Sequence, residues 1–258
     1  MMEKMKIATW NVNSIRARAE HVKKFLDEKT PDILCIQETK VQDASFPESE
    51  FKDRGYFLIF SGQKSYNGVA IFTKFPYKDV KLDFFDTNNQ KRLMEITVND
   101  ITILNGYYPH GGERGSEAFF FKLEFFERMR SYLTSHHSPF EKILLCGDFN
   151  VALDENDVWD PEALQNEIGF MKEEREALKR LMDFGFVDLF RKFHKEKAFS
   201  WWGYMGGAFR RNLGMRIDYI LATEPVADKA KGCDIEVSYR KLKRPSDHAP
   251  VVAEFELS

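Results

Sequence analysis

The segment 142–152 reads KILLCGDFNVA. Four uninterrupted apolar residues, Ile143 to Cys146, give way to a carboxylate and an amide two positions apart, Asp148 and Asn150. Similar polar endings recur along the chain. IATWNVN ends in Asn11 and Asn13, DILCIQETK in Gln37, Glu38 and Lys40, and ITILNGYYPH in Asn105, Tyr107 and His110. RIDYILAT begins with Arg216 and Asp218, and SDHAPVVAEF with Asp247 and His248. A carboxylate at the rim of a covered sheet costs free energy unless it is paired. Several carboxylates together repel one another unless a cation lies among them. The pattern predicts a shared cleft, walled by strand ends, that holds a divalent metal. Each residue also has a structural alternative: Glu38 bonded to Lys40 or a loop amide, Asp148 and Asn150 as an Asx-turn, Asp247 as a cap beside Ser246, and His248 as a bonded structural histidine.

The elements that must bring these groups together are short. Apolar runs at 7–12, 33–37, 68–73, 93–98, 101–107, 143–146, 217–221 and 251–257 read as strands. Ile33 to Ile36 and Ile143 to Cys146 are apolar at consecutive positions, so both faces of these strands should be covered. The last run alternates, with Val251, Ala253, Phe255 and Leu257 opposed to Glu254 and Glu256. Helical spacing links Val22, Phe25 and Leu26, then Phe119, Leu123, Phe126, Met129 and Leu133, then Leu178, Leu181 and Met182, the last closed by Gly185 as a C-terminal cap. Strands and helices mixed along an unbroken chain, without repeats or a linker, predict a single α/β domain spanning 1–258.

Composition sets the outer limits. With 43% hydrophobic residues and 24 Phe in 258 residues, a large core is expected rather than disorder. Lys and Arg (38) nearly balance Asp and Glu (41), so any contact with nucleic acid must come from local basic clusters rather than net charge. Three distant cysteines, Cys35, Cys146 and Cys233, suggest neither a disulfide framework nor a zinc cluster, but core residues of a reducing compartment. No apolar run approaches the roughly 20 residues of a membrane span. The first strand starts almost at once, with no room for a signal peptide, which predicts a cytoplasmic protein.

WNVNSIRAR, DILCIQETK, NGVAIFTK, NGYYPHGG, CGDFNVA, NLGMRIDYILAT and SDHAPVVAEFEL, in that order, resemble the exonuclease III family of abasic-site (AP) endonucleases. GFVDLF at 185–190 fits the same family, and the resemblance runs over 6–257. It implies a four-layered sandwich of two mixed β-sheets flanked by helices, the DNase I-like fold of the endonuclease/exonuclease/phosphatase superfamily. It further implies a Mg²⁺-dependent phosphodiesterase, with Mn²⁺ as an alternative metal. Such an enzyme hydrolyses DNA 5′ to abasic sites and carries 3′→5′ exonuclease and 3′-end-cleaning activity. The implied partner is double-stranded DNA containing abasic sites or 3′ ends, met by a monomer and away from membranes.

Roles carried over by this resemblance fall on matching positions. Glu38 is the principal metal ligand, with Asn11, Asn13 and Asp247 as direct or water-mediated partners. Mg²⁺ prefers hard oxygens and keeps several waters, so one or two carboxylates suffice. Asp148 orients and deprotonates the attacking water, and Asn150 holds that water or the phosphate. His248 contacts the phosphate with Asp218 fixing its tautomer, and Tyr107 stabilises charge there. Trp201, Met215 and Ile217 line the pocket for the abasic sugar, with Arg211 and Asn212 as further substrate contacts. One of Trp201 and Trp202 is equally read as a core aromatic. Met215 stands where many relatives carry Trp or another large residue, a departure that bears on pocket shape. Arg16, Arg18, Arg210, Arg240, Lys241, Lys243 and Arg244 are candidates to track phosphates. The same superfamily also contains phosphatases of phosphoinositides and sphingolipids, which remain the competing reading.

Overall fold

Strands that are apolar on both faces must be covered on both faces, and the chain meets that demand with two sheets packed face to face and helices outside. The structure, a computed structural model, describes residues 4–85 and 87–257. Its strands are β1 (Lys4–Asn11), β2 (Ile33–Gln37), β3 (Phe57–Ser61), β4 (Val69–Thr73), β5 (Tyr77–Leu82) and β6 (Leu93–Val98). They continue with β7 (Ile101–Tyr107), β8 (Ile143–Asp148), β9 (Phe186–Asp188), β10 (Asp218–Thr223), β11 (Ala230–Ile235) and β12 (Val251–Glu256). The helices are α1 (Ala19–Lys29), α2 (Glu117–His136), α3 (Pro161–Leu164), α4 (Lys172–Met182), α5 (Leu189–Phe193) and α6 (Glu224–Ala227).

One six-stranded sheet has the order β11-β12-β1-β2-β4-β3 and the other β5-β6-β7-β8-β10-β9. Ile7, Cys35 and Ile71 of the first meet Ile96, Ile103, Cys146 and Ile220 of the second in the central core. On one outer face Val22, Phe25 and Leu26 of α1 cover Ala8, Trp10, Leu34 and Ile36. On the other, Phe125, Phe126, Met129 and Leu133 of α2 with Leu178 and Leu181 of α4 cover Leu104 and Leu145. Burying each such side chain stabilises the fold by roughly 1.5–3 kcal/mol. This is the four-layered mixed sandwich that the resemblance implies.

Two expectations shift in detail. Helix α4 stops at Met182 with Asp183 as its cap; Gly185 lies beyond, at φ 126°, in the turn into β9. The run 143–146 continues as strand through Gly147 to Asp148, so the carboxylate is the last residue of β8 rather than a loop residue.

Strand direction concentrates the chemistry. β1 and β2 are parallel with Asn11 beside Gln37, and β7 and β8 are parallel with Tyr107 beside Asp148. β10 runs antiparallel to β8 and pairs Asp218 with Asp148. β12 runs antiparallel to β1, so its start, just after Asp247 and His248, lies at the same end. Carboxyl ends of four strands and amino ends of two therefore share one rim. Buried amides lock the sheets together below it. Gln37 Nε2 donates to Asn105 Oδ1 (2.7 Å) and Thr9 Oγ1 (2.9 Å), and Asn105 Nδ2 donates to the carbonyls of Ile36 (3.0 Å) and Ala70 (2.9 Å).

Candidate active site

The exit of β8 explains why KILLC ends in Gly-Asp. Gly147 has φ 151°, and a Cβ there would lie 1.9 Å from the Gly106 carbonyl oxygen, so only glycine lets β7 and β8 run this close. Asp148 then turns the chain: its Oδ1 accepts from Asn150 N (2.9 Å), the Asx-turn that the sequence allows. Asn150 adopts a left-handed φ of 52° and donates through Nδ2 to Tyr108 O (3.0 Å) and Asp148 Oδ2 (3.3 Å). The turn and the site are thus the same structure.

Asn11 connects the two sheets at the rim. Its Nδ2 donates to Asp148 Oδ2 (2.8 Å) and Glu38 Oε1 (3.1 Å). Tyr107 donates its hydroxyl proton to Glu38 Oε1 (2.6 Å). The Lys40 ammonium bridges Glu38 Oε2 (2.6 Å) and Asn13 Oδ1 (2.6 Å). Burial alone would raise the Glu38 carboxyl, but Lys40 and Tyr107 outweigh it and hold the group below the usual carboxylate range. Burial, then Glu38 and Asp148, push the Tyr107 phenol well above its ordinary value, so it stays a neutral donor. Asn13, Glu38, Lys40 and Asn150 all have positive φ, between 46° and 54°. Left-handed backbone costs residues such as Glu38 and Lys40 about 1–2 kcal/mol each, whereas Asn13 and Asn150 adopt it more readily.

His248 completes the constellation. Its Nδ1 donates to Asp218 Oδ2 (2.9 Å), which turns Nε2 toward Asp148 Oδ2 at 3.7 Å. Ser200 fixes Asp218 in turn, donating to its Oδ2 at 2.6 Å while accepting from the amides of Ile217 (3.0 Å) and Asp218 (3.1 Å). Burial opposes charging the imidazole, yet Asp218 and then Asp148 raise it to about 10. Burial likewise pushes the Asp148 carboxyl up, to about 7, against the pull of His248. Asp247 sits beside this pair, accepting from Asn13 Nδ2 (2.9 Å) and Trp201 Nε1 (3.0 Å). Burial would raise its carboxyl, but His248 and these donors hold it low.

A cavity of about 350 Å³ opens over the rim. Glu38, Tyr107, Asn150, Asp247 and His248 meet the apolar trio Trp201, Met215 and Ile217 in its wall. Asn11, Asp148 and Asp218 lie directly behind that wall. Of the two tryptophans, Trp202 is the core aromatic, buried against Phe199, and Trp201 borders the cavity. Arg211 and Asn212 are outside the wall; Asn212 turns away, accepting from Trp202 Nε1 at 3.1 Å. Ser200 is a contributor that sequence reasoning passes over, since a lone serine carries no distinguishing pattern; the Glu38–Lys40 pair is the bonding that the sequence offered as the structural alternative for Glu38.

Oxygen donors at the rim suit a hard cation. In this structure the Lys40 ammonium is the cation bonded there, held by oxygens of Glu38 and Asn13, two of the residues that the sequence reading assigns to a metal. A second grouping, Asp148, Asp218 and His248, offers ligand atoms all within 4.8 Å of one another. There, however, Asp218 and His248 already satisfy each other, which suits proton handling better than metal ligation.

The chain matches the family described as Endonuclease/Exonuclease/phosphatase over residues 8–248. Among curated proteins it is 34% identical to exodeoxyribonuclease III of Haemophilus influenzae, over 97% of this chain and all of the relative. Among solved structures it is similar to an AP endonuclease from Archaeoglobus fulgidus, with TM-score 0.94 and 41% identity over 98% of this chain and 99% of the other. A 3′ phosphatase from Neisseria, bound to a product DNA hairpin, superposes with TM-score 0.92 and 36% identity over 97% and 99% of the two chains.

Proposed function

We propose, from the premise that the chain belongs to the Endonuclease/Exonuclease/phosphatase family, that it is a single-domain, monomeric DNA-repair phosphodiesterase. It cuts a DNA strand 5′ to an abasic sugar and trims blocked or unblocked 3′ ends. The observation that carries this reading is the line Asp218–His248–Asp148 set behind a cavity with an apolar wall of Trp201, Met215 and Ile217.

Each residue has work suited to its surroundings. Asp148, at about 7, sits near the operating pH expected of a general base and takes the proton of the attacking water. Asn11 and Asn150 aim its carboxylate. His248, kept charged by Asp218, faces the phosphate oxygens. The neutral Tyr107 hydroxyl, which donates to Glu38 in this structure, borders the same cavity and is the donor that would turn to the same oxygens. Bound Mg²⁺, or Mn²⁺, held by Glu38 with Asn11, Asn13 and Asp247 about it, would neutralise charge growing on the phosphate. A base typically supplies only about 10²–10⁴-fold, so these donors and their positioning must share the remainder. A sugar without a base leaves the helix cheaply because little stacking is lost. The apolar wall suits that sugar. The AP endonuclease and the 3′ phosphatase among similar structures support both halves of the reading.

The deciding assay uses the purified protein with Mg²⁺ on a labelled duplex holding one abasic analogue, beside an intact duplex and a nicked duplex with a 3′-phosphate. Cleavage 5′ to the analogue and loss of the 3′-phosphate are expected. Intact DNA together with phosphate released from an inositol phosphate would replace this reading by the lipid-phosphatase alternative.

A further inference from the structure

Lys122 interrupts the apolar stripe of α2, yet its side chain is entirely buried, as is that of Glu174 on α4. The ammonium has three protons to donate, and all find oxygens: Glu174 Oε1 (2.6 Å), Asn150 O (2.7 Å) and His110 O (3.0 Å). Glu174 uses its other oxygen, Oε2, to accept from the amides of Gly169 (2.7 Å) and Met171 (3.1 Å). The packing is close. Gly111 has φ 84°, and a Cβ there would lie 2.8 Å from Cδ of Lys122.

A buried ion pair is weak support for stability, since apolar residues of similar volume commonly serve as well or better. Apolar residues could not, however, hold two carbonyls and two amides. The groups held belong to separate loops: His110 after β7, Asn150 after β8, and Gly169 before α4. Each loop contributes to the cavity wall, through His110, Asn150, and Ile168 with Gly169. The Asn150 carbonyl is also where the chain takes its left-handed turn beside Asp148.

We propose that Lys122 and Glu174 are positioning residues: one buried charge pair sets three loops at once and so holds the Asp148–Asn150 turn in register with the far wall of the cavity. This rests on the phosphodiesterase reading above for its rate effect, though not for its structural one. Losing the pair would displace Asn150 and, through it, the Asp148 carboxylate. The chemical step would suffer more than binding.

The variants K122M, E174Q and K122M/E174Q, assayed beside the unsubstituted protein on a labelled abasic duplex with Mg²⁺, decide the matter. The double variant should melt above K122M, because no lone carboxylate stays buried. Its kcat should nonetheless remain about tenfold or more below the parent, with KM within about threefold. Hydrogen exchange should quicken at 109–112 and 149–152 and stay unchanged in α1. A double variant whose kcat lies within about twofold of the parent, a loss confined to KM, or unchanged exchange in both loops would overturn the proposal. If K122M does not fold, E174Q carries the same test, for its one amide oxygen can still accept from both backbone amides while its NH2 replaces the charged acceptor that grips Lys122; an unchanged kcat there also overturns it. A parent protein that leaves the abasic duplex intact refutes the function instead, and the exchange data still decide the node.

Discussion

Two buried charge clusters interleave along the chain and differ in balance. In the first, Arg216 donates to Asp157 Oδ1 (2.7 Å) and Oδ2 (2.9 Å) and to Asp188 Oδ2 (2.7 Å), and Arg191 adds a further bond to Asp157. Two guanidinium groups meet two carboxylates, and the charges cancel. In the second, Asp148, Asp218 and Asp247 gather about a single imidazole, with Glu38 and Lys40 beside them. Negative charge is in excess there. The balanced cluster needs no further charge, although Arg216 Nη1 stays buried without a hydrogen-bond partner among the described residues, and it holds β9, α5 and the entry to β10 together. The unbalanced one is left wanting positive charge, which is what a site for a metal and a phosphate requires.

Breaking the unbalanced cluster should have the largest effect on rate. Asp148→Asn is expected to lower cleavage of an abasic duplex by about 10²–10⁴-fold without lowering the thermal midpoint, since burial already works against the charged carboxyl. His248→Ala should lose a comparable factor and, unlike the first, some stability, because Asp218 loses its partner. Steady-state kinetics and thermal melting on the same preparations separate the two effects; near-normal rates in folded Asp148→Asn would remove it as the base.

Breaking the balanced cluster should show the opposite profile. Asp157→Ala takes from the buried Arg216 guanidinium its two-oxygen partner, leaving it Asp188 alone, and removes the carboxylate that Arg191 bonds; it should cost about 3–5 kcal/mol in denaturant unfolding. A loss under about 1 kcal/mol, the size typical of exposed pairs, would mean that the network contributes no more than they do.

The smallest effect concerns a third arrangement, which tests whether balance or burial matters more. Glu95 is buried and accepts from Lys81 Nζ (2.7 Å), Tyr132 OH (2.9 Å) and His137 Nε2 (3.1 Å). The hydrogen bond to Glu95 raises the His137 imidazole above its ordinary 6.5, although burial opposes it. A group whose folded value is raised stabilises fully below the unfolded value and loses that contribution as pH climbs through the folded one. Stability should therefore fall from pH 6.5 upward, and His137→Gln should flatten that part of the curve. Urea unfolding of both proteins across this range checks it; parallel curves would show that His137 is not the titrating group.

The sequence made eight strands legible, and these are the interior strands of both sheets: β1, β2, β4, β6, β7, β8, β10 and β12. The strands it missed, β3, β5, β9 and β11, are the edges. Most interior strands bury both faces and carry apolar runs, and β12, which exposes Glu254 and Glu256, is marked by its alternation instead, whereas β5 is exposed along its whole length and carries no such signal. The rim was legible for a related reason. Polar groups at the ends of apolar runs stand out, and Asn11, Glu38, Tyr107, Asp148, Asn150, Asp218, Asp247 and His248 do come together.

What the sequence determined alone was therefore the set of covered strands and the chemical types at their ends, because burial writes itself into local pattern. Partnership was decided only in three dimensions. Asn212 turned to Trp202 and not to the cavity, Trp201 rather than Trp202 came to face it, and Lys122 found a buried carboxylate 52 positions away. Such pairings depend on distances between segments remote along the chain, and no local periodicity encodes them.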